Sequence, residues 1–381
     1  MRFASAAIAR NPDARTAGRE VAERAATGLG GQPEAGLLFA SPDYPDLQRL
    51  LAAASDVLGT SRIVGGTASA VLGMGEDAEQ VPAVSLLILA GSGIELFGVA
   101  DVNGREKQTG ADIAGQLGGR PRASDLAVLV HDATRVSARP LVTSVQEALE
   151  PACLVGAGTA GGALSAPAQW LNARSIRGGA VGLLIRGARP PRIRIAQACR
   201  PVTGNLTITQ ASGHWIQSID GRPALEVYRE VARGPLARDL RRAAAHLMVA
   251  LPSPGPGALT EGRYRTRRVV GFSEERGAFA VPESMGRGQE IALVLRDPEG
   301  AREELGRALE GLGEQPERSA ALYFNCAARG RALFGVSGLE AGYLERALAG
   351  LPWAGMHGPS QIAPLGARTE CLTHAGVLAV F

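Results

Sequence analysis

A chain of 381 residues with 45% hydrophobic and 20% charged residues suits two globular domains, which excludes a disordered or fibrous protein. Basic residues number 40 and acidic ones 37, and a net charge of +3 excludes the basic excess of an electrostatic nucleic-acid binder. No apolar run approaches the ~18 residues of a membrane-spanning helix, and the N-terminus MRFASAAIARNPDARTAGRE has no continuous apolar core of a secretory leader.

Residues 1–32 read as a lead segment, with a helix over Thr16–Ala26 ended by the glycines from Gly28 to Gly31. A strand (GLLFAS, 36–41), a helix (Leu47–Leu58), a strand ending on Gly65-Gly66 and a further strand (AVSLLILAGSG, 83–93) follow. The same phrase returns as DLAVLV (125–130) with His131-Asp132 at its end, a helix over Leu141–Leu149, ACLVGAGTAGG (152–162) and GGAVGLLIRG (178–187). Residues 192–221 alternate as antiparallel strands about turns at Gly204-Asn205 and Asp220-Gly221. Pro223 opens a short helix to Val231, Asp239–Ala250 reads as a helix, RRVVGFSE, GAFAVP and QEIALVLRD as a meander, and Glu299–Leu312 as a helix. The phrase then appears a third time: ALYFNC, a helix over Tyr343–Leu351, PWAGMHGPS and HAGVLAVF. The expected fold is α/β, layered: two related domains whose mixed sheets are covered by outer helices, built on an internal strand-helix-strand-strand repeat. The boundaries are a lead of 1–32, a first domain of 33–197 and a second of 198–381.

The candidate site lies in SAALYFNCAARGRALFG (319–335), where a strand delivers Asn325 and Cys326 to a loop carrying Arg329 and Gly330. Strand ends leave backbone N–H and C=O groups without ladder partners, and open α/β sheets bind ligands there. The facing elbow contributes Met356, His357, Ser360 and Gln361. Arg329 offers a fork suited to an anionic carboxylate or phosphate, and its charge favours the Cys326 thiolate. The structural alternatives are a buried cysteine at a sheet edge and an arginine that braces its loop against some acid. Cys326 with His357 as base makes a thiol-dependent enzyme the competing reading. GAGTAG (156–161) matches G-x-G-x-x-G, but no acid follows before Asp220, so close packing at a turn is the better use of its glycines. Four cysteines at 153, 199, 326 and 371 form no CxxC pair, which points away from a zinc site and toward a reducing, cytoplasmic setting.

LLFASPDY, IVGGTASAVLG with Glu76, CRPVTGNLTITQASGHWIQSIDGRPALEVY, VLRD and LYFNCAARGRALFG together resemble the FIST family, over nearly the whole chain after about residue 33. The strand–Cys–x–x–Arg–Gly loop is the most specific of these. That resemblance implies a sensory module of prokaryotic signalling proteins, also found in eukaryotic F-box proteins, that binds a small-molecule ligand. With no output domain, it acts through a separate signalling protein or a second copy of itself. A non-covalently held haem is compatible with such a sensor, and a protein–protein adaptor is a further alternative. Where the family commonly has Gly-Glu-Ile-x-Pro in its final turn, this chain has Ser360-Gln361-Ile362-Ala363-Pro364. An acid that would pair with Arg329 is thereby missing from that turn, and Arg329 is expected to prefer an anionic ligand.

Overall fold

The structure, a computed structural model, describes residues 3–91, 93–163, 165–187, 189–232, 238–312 and 319–381. It divides into two compact units, one comprising Met1–Ile195, Leu305–Cys371 and Ala375–Phe381, the other Ala196–Glu304 and Leu372–His374. In the first unit, β1 (Ala4–Ala9) and α1 (Ala14–Gly28) precede β2 (Ala35–Ala40), α2 (Leu47–Leu58), β3 (Ile63–Thr67), the hairpin β4 (Ala70–Gly73) and β5 (Glu76–Glu79), and β6 (Val84–Leu89). The second round is β7 (Ile94–Val99), α3 (Glu106–Ala114), β8 (Leu126–Asp132), α4 (Ala138–Leu149), β9 (Cys153–Thr159), the hairpin β10 (Gln169–Leu171) and β11 (Arg174–Ile176), and β12 (Ala180–Ile185), followed by β13 (Arg192–Gln197).

The second unit holds β14 (Cys199–Pro201), β15 (Leu206–Ser212), β16 (Trp215–Ile219), β17 (Arg222–Pro223), α5 (Ala224–Ala232), α6 (Leu240–Ala244), β18 (Leu247–Pro252), β19 (Tyr264–Arg267), β20 (Gly271–Ser273), β21 (Ala278–Ala280) and β22 (Glu290–Arg296). Its strands form one sheet in the order β19-β18-β22-β15-β16-β21-β20, with β14 on β22 and β17 on β16. Ile208, Ile216, Tyr228, Phe279 and Leu293 fill its core. The expected helix over 239–250 stops at Ala244, because the β-prone run after it pairs between β19 and β22. The hairpin turn falls at Gly213-His214, where Gly213 has φ 58°, rather than at Gly204-Asn205. After α7 (Pro298–Leu309), a third round in the first unit consists of β23 (Ala321–Cys326), α8 (Arg331–Phe334), α9 (Leu339–Leu348), β24 (Trp353–Gly358), the hairpin β25 (Gln361–Leu365) and β26 (Arg368–Leu372), and β27 (Ala375–Val380).

Three six-stranded sheets result, in the orders β1-β6-β2-β3-β10-β11, β7-β12-β8-β9-β25-β26 and β13-β27-β23-β24-β4-β5. The four strands at one side of each sheet share one connectivity. The hairpin at the other side comes from a different round, in a closed cycle: the first sheet takes the second round's, the second takes the third's, and the third takes the first's. All residues of β2, β8 and β23 are buried, as strands covered on both faces must be. β1 pairs with β6 along its whole length, and Gly18 of α1 approaches Leu50 of α2 so closely that a Cβ would lie 2.2 Å from its carbonyl oxygen. Asp46 caps α2 by accepting from the Arg49 N–H at 3.0 Å, and Gly59 ends it at φ 66°. On the inner side, Phe39 and Phe324 meet edge to face at 6.1 Å, joining the first and third sheets. No described helix is long and apolar enough to cross a membrane.

Each round crosses its parallel strand pair at one glycine. Gly65 lies opposite Leu38, Gly156 opposite Leu129 and Gly355 opposite Tyr323. A Cβ at these glycines would lie 1.9, 1.8 and 2.3 Å from the respective carbonyl oxygens, so only glycine fits. The first glycine of GAGTAG is therefore a packing residue.

Candidate functional site

The parallel pairing of β23 and β24 sets Asn325 opposite His357 and Cys326 opposite Gly358. Beyond Cys326 the chain turns back, with the Arg329 N–H donating to the Cys326 carbonyl at 2.8 Å. Gly330 adopts φ 56°, and a Cβ there would lie 2.8 Å from Glu79 Oε1 and 3.0 Å from His357 Cε1. The positive φ favours glycine there, and the close approach of Glu79 and His357 adds to it.

Arg329 is 0% exposed and faces Glu340, itself 1% exposed, in the first turn of α9. Its Nε and Nη2 donate to Glu340 Oε1 at 2.9 and 2.7 Å, and Tyr323 donates its hydroxyl to the same oxygen at 2.8 Å. Asn325 Nδ2 at 2.6 Å and the Gly330 N–H at 3.3 Å complete the set on Oε2. The guanidinium also lies 5.8 Å from the centre of the Phe334 ring. Burial alone would raise the Glu340 carboxyl, but the Arg329 charge and these hydrogen bonds outweigh it and hold the carboxyl below its ordinary value. Burial likewise opposes the Arg329 charge, and Glu340 outweighs it, so Arg329 stays protonated.

The expectation that Arg329 lacks a counter-charge is therefore corrected. Glu340, α9's first-turn acid, supplies the charge that the final turn does not. Gln361 instead donates from Nε2 to the carbonyls of Asn325 at 2.9 Å and Gly358 at 3.0 Å. A carboxylate in that place has no proton to give either carbonyl, which accounts for the amide in this chain.

Among the described residues, Gln361 Oε1 beside this braced core has no hydrogen-bond partner, and the Asp77 carboxylate and the His131 ring have no well-formed one, their nearest being the backbone of Gly338 and of Ala157. Asp77, on β5, faces His357 Nε2 at 3.7 Å, outside hydrogen-bond range. Burial pushes its carboxyl up to about 6, against the pull of His357. His131 lies opposite Gly158 on the parallel strand β9, and the His131 ring and Ser360 Oγ both crowd that glycine: a Cβ there would lie 3.4 Å from His131 Cε1 and 2.8 Å from Ser360 Oγ. Complete burial pushes the His131 ring down to about 4, so it is neutral.

Of the residues singled out in the sequence, Asn325, Arg329, Gly330, His357 and Gln361 form one connected cluster. Cys326 and Met356 are buried in the same two strands, and Ser360 sits on the Gly158 side. The reasoning from sequence missed Glu340, Tyr323, Asp77 and Glu79. The last accepts the Arg331 N–H at 2.9 and 3.2 Å on its two oxygens. A signal for Glu340 was present: an acid 11 residues after Arg329, near the opening of a helix. Cys326 is not privileged by access. It is buried with Cys199, whereas Cys153 and Cys371 are partly exposed.

Residues 34–222 match the FIST N domain and residues 224–364 the FIST C domain. The chain belongs to the FIST family. FIST domains are sensory domains. An uncharacterised protein of Mycobacterium bovis is 28% identical over 384 aligned residues, covering 98% of this chain and 97% of that protein. One of Mycobacterium tuberculosis is 27% identical over 381, covering 97% of each. Among solved structures, a cyanuric acid hydrolase from A. caulinodans covers 100% of this chain and 99% of its own, at 9% identity and a TM-score of 0.35. No described histidine lines the cavity of about 590 Å³ in the first unit, and His131, His357 and His374 are packed in the interior.

Proposed function

We propose that this chain is a cytoplasmic small-ligand sensor that signals through a separate partner or a second copy of itself. Its ligand sits where β8, β9, β23 and β24 end, against Asn325, Cys326, Arg329, Gly330, Met356, His357, Ser360 and Gln361. The observation that supports this reading is the group of under-satisfied buried atoms on Asp77, Gln361 and His131, none with a well-formed hydrogen bond among the described residues. A buried polar atom without a partner costs about 1–3 kcal/mol, and a ligand that satisfies several at once recovers that cost. Arg329 is neutralised within the protein, and the under-satisfied oxygens are acceptors. The ligand class that fits is therefore a small molecule rich in N–H or O–H donors, rather than an anion.

The test is mass spectrometry of the natively purified protein for a co-purified small molecule, followed by thermal unfolding against a panel of amines, amides and polyols. A ligand at 100 times its dissociation constant adds about 2.7 kcal/mol of stability. Asp77→Asn is expected to abolish that increment. Protein that carries no small molecule and responds to no member of the panel refutes the reading.

A further inference from the structure

The first unit has a second candidate at the other end of its strands. There a cavity of about 590 Å³ is walled by residues from all three rounds, including Leu89, Ile94, Leu126, Ile185 and Phe381. Its volume falls in the range of roughly 300–1,000 Å³ typical of small-molecule pockets, which are predominantly apolar. The polar groups at its edge satisfy one another. Arg186 donates to Glu95 at 2.7 Å, to Asp125 at 2.9 Å and to the carbonyls of Gly119 and Arg120 at 2.8 and 2.9 Å. The Gly187 N–H is taken by Asp125, the Arg186 N–H by the Gly93 carbonyl, the Ala90 N–H by Phe3 and the Ser319 N–H by Phe381. Two carboxylates surround Arg186, and Arg189, which also borders the cavity, is itself engaged.

We infer that this cavity is a second binding site, distinct from the strand-end cluster, and that it takes a neutral apolar molecule of ring-system or short-chain size. Recognition is by apolar contact, because the bordering polar groups named above are already matched. The two ends of the same strands thus offer opposite chemistry. One has buried acceptors short of donors, and the other has apolar walls with its hydrogen bonds closed.

The probe is Nile red, a neutral apolar dye whose emission rises and shifts to the blue on leaving water. Wild-type protein is expected to bind it saturably with a stoichiometry of one. Ile185→Trp and Ala90→Trp place an indole in the space, and each is expected to weaken binding at least tenfold while Tm stays within a few degrees of wild type. Asp77→Asn, at the opposite end, is expected to leave dye binding unchanged. The anionic dye anilinonaphthalene sulfonate is expected to bind more weakly than Nile red. Unaltered Nile red affinity in both folded tryptophan variants, non-saturable binding, or preference for the anionic dye overturns the inference. Should one variant fail to fold, the other and the dye comparison still decide.

Discussion

Replacing Glu340 by Gln removes the carboxylate that pairs with a guanidinium of 0% exposure and keeps the shape of the side chain. The amide keeps one acceptor oxygen, enough for Arg329 and Tyr323, which share Oε1 in the wild type. Its nitrogen, however, faces Asn325 Nδ2 and the Gly330 N–H, which are both donors. Asn325 cannot simply reverse its amide, because its oxygen accepts the Cys326 N–H at 3.1 Å. Breaking a buried ion pair by removing one partner costs about 3–5 kcal/mol. At roughly 2–4 °C per kcal/mol for a domain of ~150–250 residues, Tm is expected to fall by about 6–20 °C. The assay is calorimetry at pH 7 on Glu340→Gln, Arg329→Met and the double variant. The double variant is expected to be at least about 2 kcal/mol more stable than the sum of the single losses implies, since it leaves no uncompensated charge. A loss below about 1 kcal/mol for Glu340→Gln, or strict additivity, refutes the bracing role.

Two buried groups are expected to give opposite pH dependences. The folded state holds His131 neutral down to about pH 4, whereas the unfolded ring protonates below about 6.5, so His131 withdraws about 3 kcal/mol as pH falls from 6.5 to 4. Asp77 titrates near 6 when folded and near 3.8 when unfolded, so its cost, about 3 kcal/mol at pH 7, disappears as pH falls through that window. Relative to wild type, His131→Leu should therefore gain stability toward acid, and Asp77→Asn should gain at neutral pH and lose that advantage by pH 4; parallel curves in denaturant titrations refute both assignments. Among the thiols, Cys371 is expected to react first with iodoacetamide in native protein. Cys326 and Cys199 are buried, and burial pushes the partly exposed Cys153 up to about 11. Fastest labelling at Cys326, read by peptide mass spectrometry, would restore the reading of Cys326 as a thiolate favoured by Arg329.

Local pattern carried the strands and several helices well. The helix over Leu47–Leu58 was legible to the residue, because an aspartate cap and a following glycine bracket an apolar stripe. The strand ALYFNC and its loop were legible for the same reason, being a short apolar run with a turn behind it. What local pattern does not contain is partner choice over long separations. Nothing in residues 70–79 marks them as the edge of a sheet whose central strands lie beyond residue 320. The site was half legible for a related reason. Arg329 and Asn325 announce themselves beside a strand end, but Glu340 lies ahead of the helix expected over Tyr343–Leu351 and joins it only in the structure, where the helix opens at Leu339.

The cyclic exchange of hairpins has a consequence for how the chain is made. As the chain leaves the ribosome, the first sheet has all its strands once Ile176 has emerged, but the second waits for β25 and β26 and the third for β24 and β27. Until then, β9 and the β4–β5 hairpin present unpaired edges, the kind of surface that recruits strands from neighbouring chains. Contacts so distant in sequence close slowly. A ribosome stalled before β24 to β27 emerge would therefore hold a polypeptide whose earlier strands are nearly all present and yet cannot bury two of its edges, a natural client for chaperones that hold nascent strands apart.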